Sequence, residues 1–356
     1  MNEPRLVRIG LLRLTDAAPM VLAKSAGLFA AEGLDVVLQT EPSWANLADK
    51  LAYGLLDAAV MLPPLALAMA LGLRVPATPL IVPMSLSLNG NSVTLSNALA
   101  APVLAGGKPA PLEGGRRLRR ALGGKRPVFA TVHSWSTHNL LLRYWLAASG
   151  FDPEHDIAWT VVPPSDMVEA LASGRIDGFC AGAPWGEMAA RAGVGRTVIL
   201  SSEIWRDHPE KCLAVHAGWA ETQPRALQAL LSALLRAAML FELPDTARSL
   251  AELLAGPDYV DVPADAVLAS LPGGQGGEVD RSVFAPGLAT HPWPAHARWF
   301  LRQMARRGDA IPAAIEETVS AVYRPDLHAR AAERVGLAPP DRMIVGPFCD
   351  GAPFES

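Results

Sequence analysis

The chain has little of what most metalloproteins, nucleic-acid binders and membrane proteins carry. Only three cysteines, Cys180, Cys212 and Cys349, occur in 356 residues. Their spacing fits neither a zinc site nor a Cys-x-x-Cys redox pair, and the odd count argues against a disulfide framework. Cys180 and Cys212 read as small buried hydrophobes. Charged residues make up 19% of the chain and the formal net charge is −4. No basic surface is on offer, so direct nucleic-acid binding is not expected. The apolar run from Ala58 to Leu73 is broken by Pro63 and Pro64, so it does not read as a membrane span. Met1 to Arg8 show no basic start leading into a secretory leader, and the first strand begins at Val7. A cytoplasmic location is the expectation that follows.

Enzyme signatures are also missing. The sequence has no Gly-x-Ser-x-Gly elbow, no Gly-x-x-x-x-Gly-Lys-Ser/Thr phosphate loop, no Gly-x-Gly-x-x-Gly after a strand and no His-Glu-x-x-His. His133 and His138 are the one close histidine pair on expected cleft loops, with no acidic or cysteine partners at ligand spacing. No metal, no cofactor and no catalytic residue is therefore expected, and the balance moves toward binding.

What is present is apolar bulk: half the residues are hydrophobic, enough for one or two real cores. An internal duplication organises them, at an offset of about 120 residues. Val7–Leu12 and Val128–His133 read as strands, each leading through a polar turn into an apolar helix that ends near Gly27 or Gly150. Asp35–Gln39 and Ile157–Val162 are the second strands. Glu41-Pro-Ser-Trp44 and Pro163-Pro-Ser-Asp166 follow as turns, each with a serine suited to cap a helix. Leu56–Val60 and Ile176–Cys180 are short third strands behind a Gly-x-apolar-Asp turn.

Strand-helix-strand-helix-strand, twice, gives two parallel α/β units. Such units bind at the carboxyl ends of their strands, where helix N-termini suit an anion. The expected division is 1–100 with 212–356 as lobe one and 101–211 as lobe two, with a ligand cleft between them. Leu227–Phe241, Thr246–Leu254, Arg298–Arg307 and Ile311–Val322 read as helices, the last two at the surface, and this section is expected to pack on lobe one. Pro272–Gly277 reads as a loop. Arg116–Arg120 reads as a solvated helix face.

Four cleft-loop residues stand out. Trp44 opens a helix after a Pro-Ser turn; a core tryptophan is the ordinary role, but the indole face and N–H suit a flat oxyanion. Asn91 lies in the polar break Asn89-Gly-Asn91, where turn formation is ordinary and an amide aimed at the cleft is the alternative. His138 heads the first helix of lobe two, where the helix dipole lowers its pKa. Lys211 precedes the strand Cys212–Val215; solvation is ordinary, but it is the obvious cation for an anion in the cleft. Asp16 reads as a helix cap.

The segments Leu14–Pro19, Glu41–Asn46, Asn89–Asn91, Ser136–Asn139 with Arg143–Ala147, Gly178–Trp185 and Trp205–Lys211 resemble, in order, the nitrate/bicarbonate-binding proteins of ABC transporters. The resemblance implies a type II periplasmic-binding-protein-like α/β fold, two α/β lobes closing on an anion. It carries ligand-binding roles over to Trp44, Asn91, His138 and Lys211. Bicarbonate members have an acidic residue in place of the lysine and use calcium, so Lys211 implies nitrate or nitrite. Asn91 stands where glutamine is usual, and Gly182-Ala-Pro-Trp185 where Gly-Glu-Pro-Trp is usual. Together with the expected location, this is similar to cytoplasmic nitrate/nitrite sensors of the NasS type, whose implied partner is an RNA-binding antiterminator of the NasT type, released on anion binding. A substrate-binding receptor of a nitrate/nitrite ABC transporter is the alternative.

Overall fold

A computed structural model describes residues 4–354 apart from 75–76, 244, 275–278, 339, 341 and 344. Residues 275–277 of the expected loop thus lie outside the described residues.

Ten strands form two five-stranded sheets. They are β1 (Arg5–Leu11), β2 (Leu34–Thr40), β3 (Ala58–Met61), β4 (Leu80–Leu88), β5 (Asn91–Ser96), β6 (Val128–Thr131), β7 (Ala158–Val161), β8 (Gly178–Gly182), β9 (Gly195–Leu200) and β10 (Pro209–His216). The first sheet runs β2-β1-β3-β10-β4 and the second β7-β6-β8-β5-β9. In each, the first three strands pair in parallel and the fourth is antiparallel to its neighbours.

The duplication has a local physical basis. The carboxylate of Asp57 accepts the Arg8 backbone N–H at 2.8 Å, and that of Asp177 accepts the Val128 N–H at 2.8 Å. In both lobes, the aspartate of the Gly-x-apolar-Asp turn thus fixes the third strand beside the first. Gly27 and Gly150, both at positive φ, follow the first helix of each unit, where an L side chain would be strained. Ser43 and Ser136 cap the helices Trp44–Ala52 and Thr137–Ala148 by accepting backbone N–H groups. Ser165 does not act as expected: a 3-10 turn, Pro164–Asp166, intervenes, and its hydroxyl bonds Asp166 instead.

Strand exchange corrects the expected division at 100/101 and 211/212. β5 already pairs in the second sheet, and β10, which contains Lys211, pairs in the first. Sequence periodicity hides the first crossing because β4 is buried along its whole length and β5 over most of its own. The chain crosses at Asn89-Gly90, where both residues have positive φ. A Cβ on Gly90 would lie 2.5 Å from Ser282 Oγ, so glycine is required there on two counts.

The C-terminal section packs on the first lobe through the helix Pro224–Leu240, whose leucines join Val7, Ile9 and Met20 in one core. The expected surface helix Arg298–Arg307 is seen at Pro294–Arg306 and is not merely superficial: Trp299, Phe300, Leu301 and Met304 are buried. It touches helices of both lobes. The other expected surface helix is shorter, Ile315–Val322. A second core runs through both lobes, from Leu14 and Trp44 to Phe129 and Trp145. Cys180 and Cys212 are fully buried, as their sequence context implies. Among the described residues, no helix is long and apolar enough to cross a membrane.

Candidate functional site

The ends of five segments meet between the sheets. β1 leads into Thr15–Ala17, which carries Asp16. β2 leads through Ser43 into the helix headed by Trp44. The crossing brings Asn91, β6 leads to His138, and β10 supplies Glu210 and Lys211. Trp44, Asn91, His138, Glu210 and Lys211 are each at most 1% exposed.

Lys211 is the centre. Its Nζ donates to Asp16 Oδ2 at 2.9 Å and to Glu210 Oε1 at 2.5 Å, and lies 5.6 Å from the centre of the Trp44 ring. Desolvating an ammonium costs several kcal/mol. Two carboxylates and an aromatic face offset that, and the carboxylates push its pKa up against the effect of burial. The sequence expectation placed Lys211 just before a strand; it lies inside β10 and is wholly buried.

Neighbouring residues on a strand normally point to opposite faces, yet Glu210 and Lys211 touch. Irregular pairing with β4 on both sides of Lys211 is the cause: Pro209 pairs with Leu88, Lys211 with Ser87 and Cys212 with Ser85. Glu210 is the extra residue, and such a bulge re-aims side chains. Burial pushes the Glu210 carboxyl up to about 7, with Lys211 opposing.

The three other predicted residues join this cluster. His138 Nε2 approaches Glu210 Oε1 at 3.4 Å. Burial, then the charge of Lys211, hold the imidazole well below its ordinary range, so desolvation dominates where the sequence pointed to the helix dipole. The Asn91 amide faces Glu210, and its Oδ1 would lie 3.5 Å from a Cβ on Gly182, as would Asp16 Oδ2. Trp44 Nε1, both side-chain polar atoms of Asn91 and both ring nitrogens of His138 have no hydrogen-bond partner within the described chain. Leaving buried polar groups unpaired costs about 1–3 kcal/mol each, so their convergence around one buried cation makes this the candidate binding site.

Two residues were missed or misread. Asp16 makes no side-chain cap bond; it is the lysine's partner. Glu210 carried no signal beyond its adjacency to Lys211. His133 stays outside the cluster: its Nδ1 accepts the Trp135 backbone N–H, and burial lowers its pKa to about 4. Among the described residues no group of three His, Cys, Asp or Glu side chains is placed to hold a metal ion.

The lobes are in contact across the site. Thr15 N–H donates to the Ala183 carbonyl at 2.9 Å, and the Trp185 indole donates to the Arg13 carbonyl at 2.9 Å. Behind Asn91, the Ser201 hydroxyl accepts the Asn91 backbone N–H, donates to Asp280 at 2.5 Å and lies 2.7 Å from His208 Nε2. This is not a nucleophile relay, because the aspartate holds the serine rather than the far side of the imidazole. A larger cavity of about 510 Å³ lies apart from the cluster, near Trp135, Arg143, Trp159 and Arg307. Its arginines are already paired with Glu154 and Asp309.

Residues 1–255 match the NMT1-like family. The chain is 32% identical to the nitrate/nitrite binding protein NrtA of Synechococcus elongatus, across 99% of this chain and 84% of that protein. The crystal structure of the periplasmic nitrate-binding protein NrtA from Synechocystis PCC 6803 superposes with a TM-score of 0.86 at 29% identity, covering 98% of this chain and 95% of that one. It is also 35% identical to the bicarbonate transport ATP-binding protein CmpC of Synechococcus elongatus, across 98% of this chain. The chain spans about half of CmpC, 53% of its length, and carries no phosphate loop of its own.

Proposed function

Since the chain belongs to the NMT1-like family and has the two-lobed fold of periplasmic binding proteins, we propose that it binds nitrate or nitrite between its lobes as a substrate receptor of an ABC-type uptake system. The observation that carries this reading is the wholly buried Lys211 ringed by Trp44, Asn91 and His138, whose polar atoms have no partner in the described chain. Nitrate is planar, singly charged and weakly hydrated. It asks for in-plane donors, one nearby cation and a dry pocket. Trp44 Nε1, Asn91 Nδ2 and one His138 nitrogen are the donors, and Lys211 is the cation.

The receptor role stands ahead of the cytoplasmic sensor with an antiterminator partner, because one relative named above is a bicarbonate transport protein and another a periplasmic nitrate-binding protein. The two roles part experimentally. A receptor stimulates nitrate-dependent ATP hydrolysis by its transporter. A sensor co-purifies with an RNA-binding partner and lets it go when nitrate is added.

The anion itself is tested by thermal shift across nitrate, nitrite, bicarbonate, sulfate and phosphate. Nitrate or nitrite should raise the Tm, since a ligand at 100 times its Kd adds about 2.7 kcal/mol. Bicarbonate is the competitor that the likeness to CmpC raises. A larger shift with bicarbonate than with nitrate would replace the nitrate reading.

A further inference from the structure

We propose that the cleft takes up one proton with each anion it binds, and that Glu210 carries that proton. The inference rests on the nitrate reading and deepens it.

The argument is one of charge. Lys211 supplies one positive charge, and Asp16 and Glu210 already face it at 2.9 and 2.5 Å. With both carboxylates ionised, the cluster without a ligand is over-compensated, one positive charge against two negative ones. A third anion arriving in the same closed space meets no net positive charge while Glu210 is ionised. A proton on Glu210 keeps the charge of the site unchanged: one ammonium then faces the Asp16 carboxylate and one nitrate, where before it faced the Asp16 and Glu210 carboxylates, with Glu210 now neutral. The step is a protonation from solvent and nothing else. Glu210 Oε2, the oxygen that Lys211 does not hold, has no hydrogen-bond partner in the described chain and is free to take the proton.

The other groups that face Glu210 do not compete for it. From its own strand, Lys211 stays charged, and burial pushes the Cys212 thiol well up, so it stays neutral. His208, with Nδ1 3.7 Å from Glu210 Oε2, is held down to about 3 by burial. From the helix Thr137–Ala148, His138 is held neutral by burial and by Lys211. From β8, Cys180 is pushed well up by burial and stays a thiol. From the Thr15–Ala17 turn, Asp16 keeps its ion pair with Lys211 and raises Glu210 further. Asp280 lies one residue layer behind, on Ser201. Glu210, pushed up to about 7 by burial, is the group poised to titrate near neutrality.

The test is calorimetry of nitrate binding in buffers of different ionisation enthalpy, from pH 6 to pH 9. Nitrate does not titrate there, so any proton belongs to the protein. The expected uptake is near zero at pH 6, about half a proton at pH 7 and near one at pH 8, with Kd weakening about tenfold per pH unit above 7. In E210Q the uptake should vanish and the affinity, whatever its size, should cease to depend on pH over this range. Binding without uptake at pH 8 in the wild type overturns the proposal, as does uptake at pH 8 that survives in E210Q. If E210Q does not fold, the wild-type series alone decides whether a proton is taken up. Failure of nitrate to bind at pH 6 removes the nitrate reading, and this inference with it.

Discussion

The buried histidines make the fold sensitive to mild acid, by an amount that can be worked out. His138, His208 and His296 are at most 3% exposed. Burial holds His208 and His296 down to about 3 and His138 well below 6.5. A base with a depressed folded pKa contributes its full stability above its unfolded value, near 6.5, and loses it as pH falls. At about 1.4 kcal/mol per pH unit, His208 and His296 each cost about 2 kcal/mol at pH 5, or about 4 together, and His138 acts in the same direction. Glu210 acts in the opposite sense. Its folded pKa, about 7, lies above the ordinary 4.5, so its stability is present in acid and is lost as pH rises through 7. Going from pH 7 to pH 5 it returns about 2 kcal/mol. For His208, His296 and Glu210 the net is a loss of about 2 kcal/mol, set against the 5–15 typical of a folded domain, and His138 and His133 deepen it. Below pH 4.5 the offset is spent and the loss steepens. Urea unfolding at pH 7 and pH 5 measures this directly. Glu210→Gln should deepen the acid loss by about 2 kcal/mol, and His296→Gln should reduce it by about 2. Equal or greater stability at pH 5 than at pH 7 would refute the assignment of these histidines as neutral.

Trp44→Phe keeps most of the buried ring but removes its N–H. Nitrate affinity should fall at least about tenfold, the worth of one hydrogen bond to a charged group, as read by calorimetry at constant pH. Lys211→Met should abolish the nitrate-dependent rise in Tm, because the cluster then holds two carboxylates and no cation; an undiminished rise would remove Lys211 from the site. Among the cysteines, Cys349 is half-buried while Cys180 and Cys212 are fully buried. A thiol reagent should therefore label Cys349 first, with the other two appearing only after denaturant is added.

The sequence was most legible where one local rule decides the outcome. Ser43 and Ser136 cap helices, and Asp57 and Asp177 tie third strands to first ones. Trp44 and His138 follow directly from those caps. The sequence was least legible where tertiary pairing overrides the local pattern. Asn91 lies in a short polar break between two apolar runs that look alike, and only strand pairing assigns the second run to the other sheet. Glu210 is brought beside Lys211 by a bulge that no hydropathy pattern announces. Asp16 stands where a cap would stand, but a lysine nearly two hundred residues away claims it. On the helix Pro294–Arg306, Arg298, Arg302 and Arg306 at four-residue spacing advertise a solvated face and divert attention from the buried Trp299–Leu301.

These exceptions share a location. The chain passes between the sheets twice, from Leu88 to Asn91 and from Leu200 to Pro209. The two crossings run side by side: Asn89 N–H donates to the His208 carbonyl at 3.0 Å, and the Asn89 amide donates to Asp207 at 3.3 Å. Asn89 and Asp207 both adopt positive φ, which Asn and Asp tolerate better than other side chains. Asn91 follows one crossing, and Glu210 and Lys211 follow the other. The groups that would hold the anion are therefore the first residues beyond the segments about which the lobes would move. A ligand shifts a conformational equilibrium only through its different affinity for the two states. Here that difference is built in, because separating the lobes would part Asp16 and Trp44 from His138 and the Thr15 N–H from the Ala183 carbonyl. Closure thus brings His138 onto a charge cluster that the first lobe already assembles from Asp16, Glu210 and Lys211, and the bulge at Glu210 is what aims that carboxylate at the lysine.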